Sequence, residues 1–211
     1  MEQKNNDVRK ISILILGIVI VLLIVATGTL AYYMFNATNN NVISGSAAKA
    51  DLNLTVSKTL PTSNGTDNIV LAKYEDIPAG INARCVSGSY AMCQLYTITL
   101  TNNATNTSVT VNGSVSFTNT TAPNLSWVLL SNYTSSTSYT SSNLPNSYNT
   151  ASSTFTNFVS NETINGNQTK TYYLLVWVND IEEEQTDNGS YTGTVRFVDA
   201  NGNGVTSTFI S

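Results

Sequence analysis

From residue 51 to its end, the chain alternates apolar and polar positions with a period of two. That period belongs to strands with one buried face. In 51–56 (DLNLTV) it aligns Leu52, Leu54 and Val56, and in 94–101 (QLYTITLT) it aligns Tyr96, Ile98 and Leu100. The run 109–117 (VTVNGSVSF) aligns Val109, Val111, Val115 and Phe117, while 125–130 (LSWVLL) is short and almost wholly apolar. Residues 170–178 (KTYYLLVWV) carry Tyr172, Leu174, Val176 and Val178 on one face and Tyr173, Leu175 and Trp177 on the other. A strand apolar on both faces belongs in the middle of a sheet. The runs 191–199 and 204–210 flank Ala200-Asn201-Gly202-Asn203, which predicts a hairpin. With a weaker strand over 68–72, about eight strands are expected, and no stretch after residue 36 has helical periodicity over three turns. The pattern predicts an all-β sandwich over 51–211, of Ig-like or jelly-roll type.

Residues 131–170 interrupt the pattern with Ser, Thr and Asn. A structureless loop of that length is unusual inside a compact domain. Tyr133, Tyr139, Phe155 and Phe158 are expected to pin it as an edge strand or as a loop packed on a sheet face. The alternative is a binding loop, since Tyr, Ser and Asn suit adaptable contacts.

The N-terminus has a different character. Residues 1–10 carry Lys4, Arg9 and Lys10, and 11–35 contain no charge. A helix of that length crosses a hydrocarbon core of about 30 Å. The basic pair at Arg9–Lys10 places residues 1–10 in the cytoplasm and 36–211 outside. Two outcomes stay open: a retained transmembrane anchor, or a signal peptide cut near Thr29-Leu30-Ala31. Residues 36–50 then form a linker or arm.

Composition narrows the function. The chain has 211 residues, with 28 Asn, 54 Ser plus Thr, no His, and a net charge of −4. Without histidine there is no His-dependent triad and no His-ligated zinc, and an acidic balance offers nucleic acid no basic surface. No carboxylate pair stands in a recognisable catalytic frame, so a non-enzymatic protein without a cofactor is expected. Cys85 and Cys93, with seven residues between them and Gly88 near the middle, read as a local disulfide of an oxidising compartment. Twelve N-x-[ST] sequons are compatible with glycosylation, but the Ser/Thr content alone produces most of them. Two acidic segments are candidates for calcium. One is the cluster Asp180, Glu182, Glu183, Glu184 and Asp187; the other is Asp199-Ala200-Asn201-Gly202-Asn203-Gly204. The first reads better as a solvated turn. The second lacks the bidentate carboxylate at position twelve, where Ile210 stands. No metal site is therefore assigned.

Residues 28–36 (GTLAYYMFN), with Ile43-Ser44-Gly45 and then Asp51-Leu52-Asn53-Leu54, resemble the TasA/camelysin-like family of Gram-positive surface and biofilm-matrix proteins. The C-terminal stretch TYYLLVWVND…GSYTGTVRF is similar to anchored Firmicutes surface proteins of uncharacterised function. The resemblance implies an exported jelly-roll module, in some members assembled into fibres in which an N-terminal strand completes the sheet of the next subunit. Here 36–56 would be that donor, acting by β-augmentation. Camelysin-like members are linked to metal-dependent proteolysis, against which the missing histidines argue.

Two functions follow. The first is a cell-surface structural or adhesive module held in the lipid bilayer by 11–35. The second is a secreted filament subunit that self-associates through its N-terminal strand. A carbohydrate-binding sandwich is a third reading, which needs Trp127 or Trp177 exposed on a flat face.

Overall fold

The computed structural model describes residues 51–62, 69–122, 124–181 and 189–211. Every one of them falls in the unit 42–211. The expected membrane or signal segment 11–35 and the arm 36–50 lie outside the described residues. Among the described residues no helix is long and apolar enough to cross a membrane.

The longest strand organises the rest. Strand β10 (Gln168–Asn179) pairs antiparallel with β5 (Gln94–Asn102) on one side and with β7 (Leu125–Leu130) on the other. Strand β1 (Leu52–Leu60) extends the sheet beyond β5, in register from Leu52↔Asn102 to Lys58↔Tyr96, with a bulge before Leu60. Residues 52–56, expected as part of a donor arm, are thus paired within their own chain. The two-residue strand β8 (Asn149–Thr150) touches β7 at Ser126 and Trp127 only. Strand β2 (Leu71–Ala72) runs parallel to the end of β10, at Val178 and Asn179, just past the last β5 pairing at Val176.

A second sheet has the order β12 (Gly204–Ile210), β11 (Thr192–Val198), β6 (Val109–Thr118), β9 (Thr156–Ile164). The two sheets face each other across one core. Leu54, Ile98, Leu100, Trp127, Leu174 and Val176 from the first meet Val111, Val115, Phe117, Val195, Phe197 and Phe209 from the second. Tyr96 packs on Phe209 at 4.3 Å between ring centroids, a tilted pair of the kind aromatic quadrupoles favour. The sandwich follows from the alternation in the sequence.

The first sheet is buried on its other face as well, which explains the doubly apolar β10. Leu175 and Trp177 on β10, Leu95 on β5, and Val128 and Leu130 on β7 form a second cluster. It is covered by helix α1 (Ile77–Asn82), by Cys85 and Cys93 at the two ends of the hairpin of β3 (Val86–Ser87) and β4 (Tyr90–Ala91), and by the 131–148 stretch. The helix went unseen in the sequence because six residues are too few to display a period. Its Ile77-Pro78 start puts proline in the first turn, where a missing N–H costs nothing.

The Ser/Thr/Asn-rich stretch 131–170 is three things rather than one loop. Its first part lies on the outer cluster, with Tyr139 and Leu144 buried. The remainder supplies β8 and β9, and its last three residues begin β10. Strand β9 is an edge strand with two register shifts against β6 and a positive φ at Asn161. Such irregularity keeps an exposed edge from pairing indiscriminately.

Candidate functional site

Cys85 and Cys93 are bonded at 2.02 Å, both fully buried. The turn leading into the hairpin needs left-handed backbone at Arg84 and Cys85, with φ of 61° and 58°. L-residues adopt that region at a cost, so the surroundings must hold it. Arg84 is held by its guanidinium, which donates to the Tyr133 hydroxyl at 3.2 Å and the Ser135 carbonyl at 3.1 Å. Beside it, Asn82 at the end of α1 imitates a strand partner. Its Nδ2 donates to the Tyr139 carbonyl at 2.9 Å and its Oδ1 accepts the Tyr139 amide at 2.7 Å. The Tyr139 hydroxyl in turn donates to the Asn132 carbonyl at 3.1 Å. Burial raises the Tyr139 phenol above its ordinary pKa. The Thr134 amide bond to its oxygen works the other way, and nearby Tyr133 and Tyr173 add to the rise. These contacts fix the 131–148 stretch as a built surface.

A cleft of about 720 Å³ opens where β10 ends, lined by Lys73, Tyr74, Glu75, Tyr148, Asn179 and Asp180. Tyr74 stacks on Trp177 at 5.3 Å, and Tyr148 meets the same indole edge-on at 5.4 Å. Asn179 is oriented by donating to the Tyr148 hydroxyl at 3.0 Å, and Tyr74 donates to the Pro145 carbonyl at 2.6 Å. Burial, then the neighbouring Tyr148, raises the Tyr74 phenol above its ordinary pKa. Trp177 and Trp127 are both buried, so neither offers the flat exposed indole that the carbohydrate reading required.

A second opening follows the edge of β7. Beyond Trp127, residues Val128, Leu129 and Leu130 have no strand on their outer side among the described residues. The gap there, about 480 Å³, lies between Leu129, Leu130 and Pro145 and the β9 residues Phe158 and Val159, with Tyr172 at its floor. It adjoins a smaller one of about 280 Å³ along Trp127, Asn149 and Asn157. Near its end Lys170 pairs with Glu162 at 2.9 Å. Burial and then the Glu162 charge push the Tyr172 phenol well above its ordinary pKa.

Of the acidic candidates, Asp199 has a structural role. Asp199 closes the β11–β12 hairpin, its Oδ1 accepting the Asn201 and Asn203 amides at 2.8 and 2.9 Å. Burial alone would raise its pKa, but these bonds outweigh that and hold it below the ordinary value. Asp180 lies at the cleft described above, while Glu182, Glu183, Glu184 and Asp187 lie outside the described residues. Several sequon asparagines also have a backbone task. Asn119, Asn124, Asn161 and Asn167 all have positive φ, where Asn is the most tolerant residue after Gly. Their local conformation accounts for the residue type without a glycan.

No protein-family model and no curated protein matches the chain. A solved structure from Bordetella pertussis, described as an ApaA protein, is similar to it at 10% identity with a TM-score of 0.27, covering 77% of this chain and 93% of that one.

Proposed function

We propose that this protein is a non-enzymatic cell-surface module: a β-sandwich of Ig-like or jelly-roll type displayed outside the membrane on its N-terminal segment. One observation carries the reading. The disulfide between Cys85 and Cys93 is fully buried within the outer cluster, and such bonds persist in oxidising compartments. The uncharged span 11–35 supplies the means of attachment, and the hydroxyl-rich exterior suits adhesion or a structural coat. Fractionation tests the attachment: the protein stays with the membrane in high salt and leaves it with detergent. Release of the intact chain by salt alone refutes the anchor.

A second reading, a secreted filament subunit, draws support from the edge of β7 that no described strand covers and the gap beside it. An extended segment from another subunit would add backbone hydrogen bonds there. Since 52–60 is already paired with β5, the donor in that reading is 36–50. N-terminal sequencing of the native protein separates the two. A start at Met1 defeats the filament, and a start near Tyr32 or Asn36 defeats the anchor.

A further inference from the structure

The cleft beyond the end of β10 gathers exposed apolar surface. Four large apolar side chains are exposed among the described residues, and two of them, Tyr148 at 39% and Ile181 at 41%, line this one opening. Glu75 and Ser141 are exposed on its walls as well. Its volume of about 720 Å³ falls within the range of about 300–1,000 Å³ usual for small-molecule sites.

The aromatic surface is fixed before any ligand arrives. Tyr148 rests on Tyr74, with 5.0 Å between ring centroids, and meets Trp177 edge-on, while Tyr74 stacks on the same indole. Each tyrosine is also tied through its hydroxyl, Tyr74 by donating to the Pro145 carbonyl and Tyr148 by accepting from Asn179. Asn179 is itself buried, and its Oδ1 accepts from Trp177 Nε1 at 3.5 Å. Since the Tyr148 oxygen accepts, its own hydrogen is left for another acceptor.

The charges on the walls select among ligands. Glu75 and Asp180 would repel an anion, and Lys73 would repel a cation. A neutral ligand that carries donors and acceptors together, around an apolar face, escapes both penalties. Glu75 can only accept, Lys73 can only donate, and the Ser141 and Tyr148 hydroxyls do either. A sugar ring has this dual character. Hydroxyls surround it, and the C–H groups of its face lie well against the electron-rich face of an aromatic ring. Trp177 is buried and is not itself the platform; it backs the tyrosines that are.

We propose that this cleft binds a neutral saccharide, with a sugar ring stacked on Tyr148 and its hydroxyls bonded to Glu75 and Ser141. The inference rests on the adhesive form of the surface reading and gives it a ligand class, an uncharged glycan.

The test titrates the full-length protein by calorimetry in a polyoxyethylene detergent, which carries no sugar. The probes are neutral hexasaccharides of glucose, mannose, galactose and N-acetylglucosamine, with tetramethylammonium and sulfate as charged controls. Saturable binding at millimolar concentration or below is expected for at least one saccharide and for neither control. Tyr148→Ala should abolish it. Glu75→Gln and Ser141→Ala, at exposed positions that the fold does not need, should each weaken it about fivefold, with thermal melts to confirm folding. No binding by any of the four saccharides overturns the proposal, as does unchanged affinity in Tyr148→Ala or in Glu75→Gln. Binding of either charged control in place of the sugars overturns it too. Release by salt or detergent does not depend on this cleft, so failure here leaves the membrane attachment to be judged on its own result.

Discussion

Asn82 offers the sharpest test of how the outer layer is held. Its side chain makes both hydrogen bonds that a neighbouring strand would make to Tyr139, at 2.9 and 2.7 Å. Asn82→Ala removes both and leaves a part-buried amide and carbonyl to find water. At about 0.5–1.5 kcal/mol net for each bond, reduced by access of water at this rim, the expected loss is about 1–2 kcal/mol. For a domain of this size that lowers Tm by about 3–6 °C. The loss should also be local. Amide exchange at Tyr139 and Thr134 should accelerate, while that in β5 and β10 keeps its protection. Asn82→Asp sharpens the point. When ionised it still accepts the Tyr139 amide, but its second oxygen faces the Tyr139 carbonyl and repels it. Protonation restores a donor, so the folded-state pKa lies above the unfolded value of about 3.9. The stability recovered by that proton is full below about pH 4 and is lost as pH rises through the folded pKa. Thermal melts at two pH values and hydrogen exchange measure these effects. A melting temperature unchanged in Asn82→Ala, with Tyr139 exchange also unchanged, would refute the latch.

Three further outcomes are expected. Replacing both cysteines in Cys85→Ala/Cys93→Ala releases an eight-residue separation and should cost about 2–3 kcal/mol; calorimetry should register a drop of about 5–10 °C, and an equal Tm would dismiss the disulfide as a stabiliser. Gly193→Ala drives a methyl group into the Phe209 ring, so urea melts should show a loss of about 1–3 kcal/mol; a wild-type midpoint would mean the core yields there. Burial, then the charge and hydrogen bond of Tyr96, raise the Tyr191 phenol well above its ordinary pKa. The stability that Tyr191 contributes as a neutral phenol is full below about pH 10 and falls above it as the unfolded chain ionises first; in Tyr191→Phe that alkaline fall, followed by denaturant titration, should be shallower.

Much of the sandwich was legible in the sequence because alternation is a strong signal wherever one face is buried. Strand β10 announced its central place by being apolar on both faces, and Asn201-Gly202 marked the last hairpin. Strand β9 was hidden because TNFVSNETI mixes polar residues onto both faces, as an edge strand with bulges allows. The outer layer was harder. Helix α1 is a single long turn, and the Asn82–Tyr139 pairing joins residues 57 apart with no local pattern to betray it. The cysteines could be paired from spacing alone, but what they staple, a cover over the second face of a sheet, needed the fold.

The placement of β10 also dictates when this chain can fold. A nascent chain emerges N-terminus first, so β5 and β7 are both out before their common partner at Gln168–Asn179 exists. Until then β5 and β7 each present an open edge, and β6 waits still longer for β11. Pairings this distant along the chain make for slow collapse, in the millisecond-to-second range. Any fragment ending before residue 168 would be left with sticky half-sheets. The first sheet therefore cannot close until β10 has been made, nor the second until β11 has followed it.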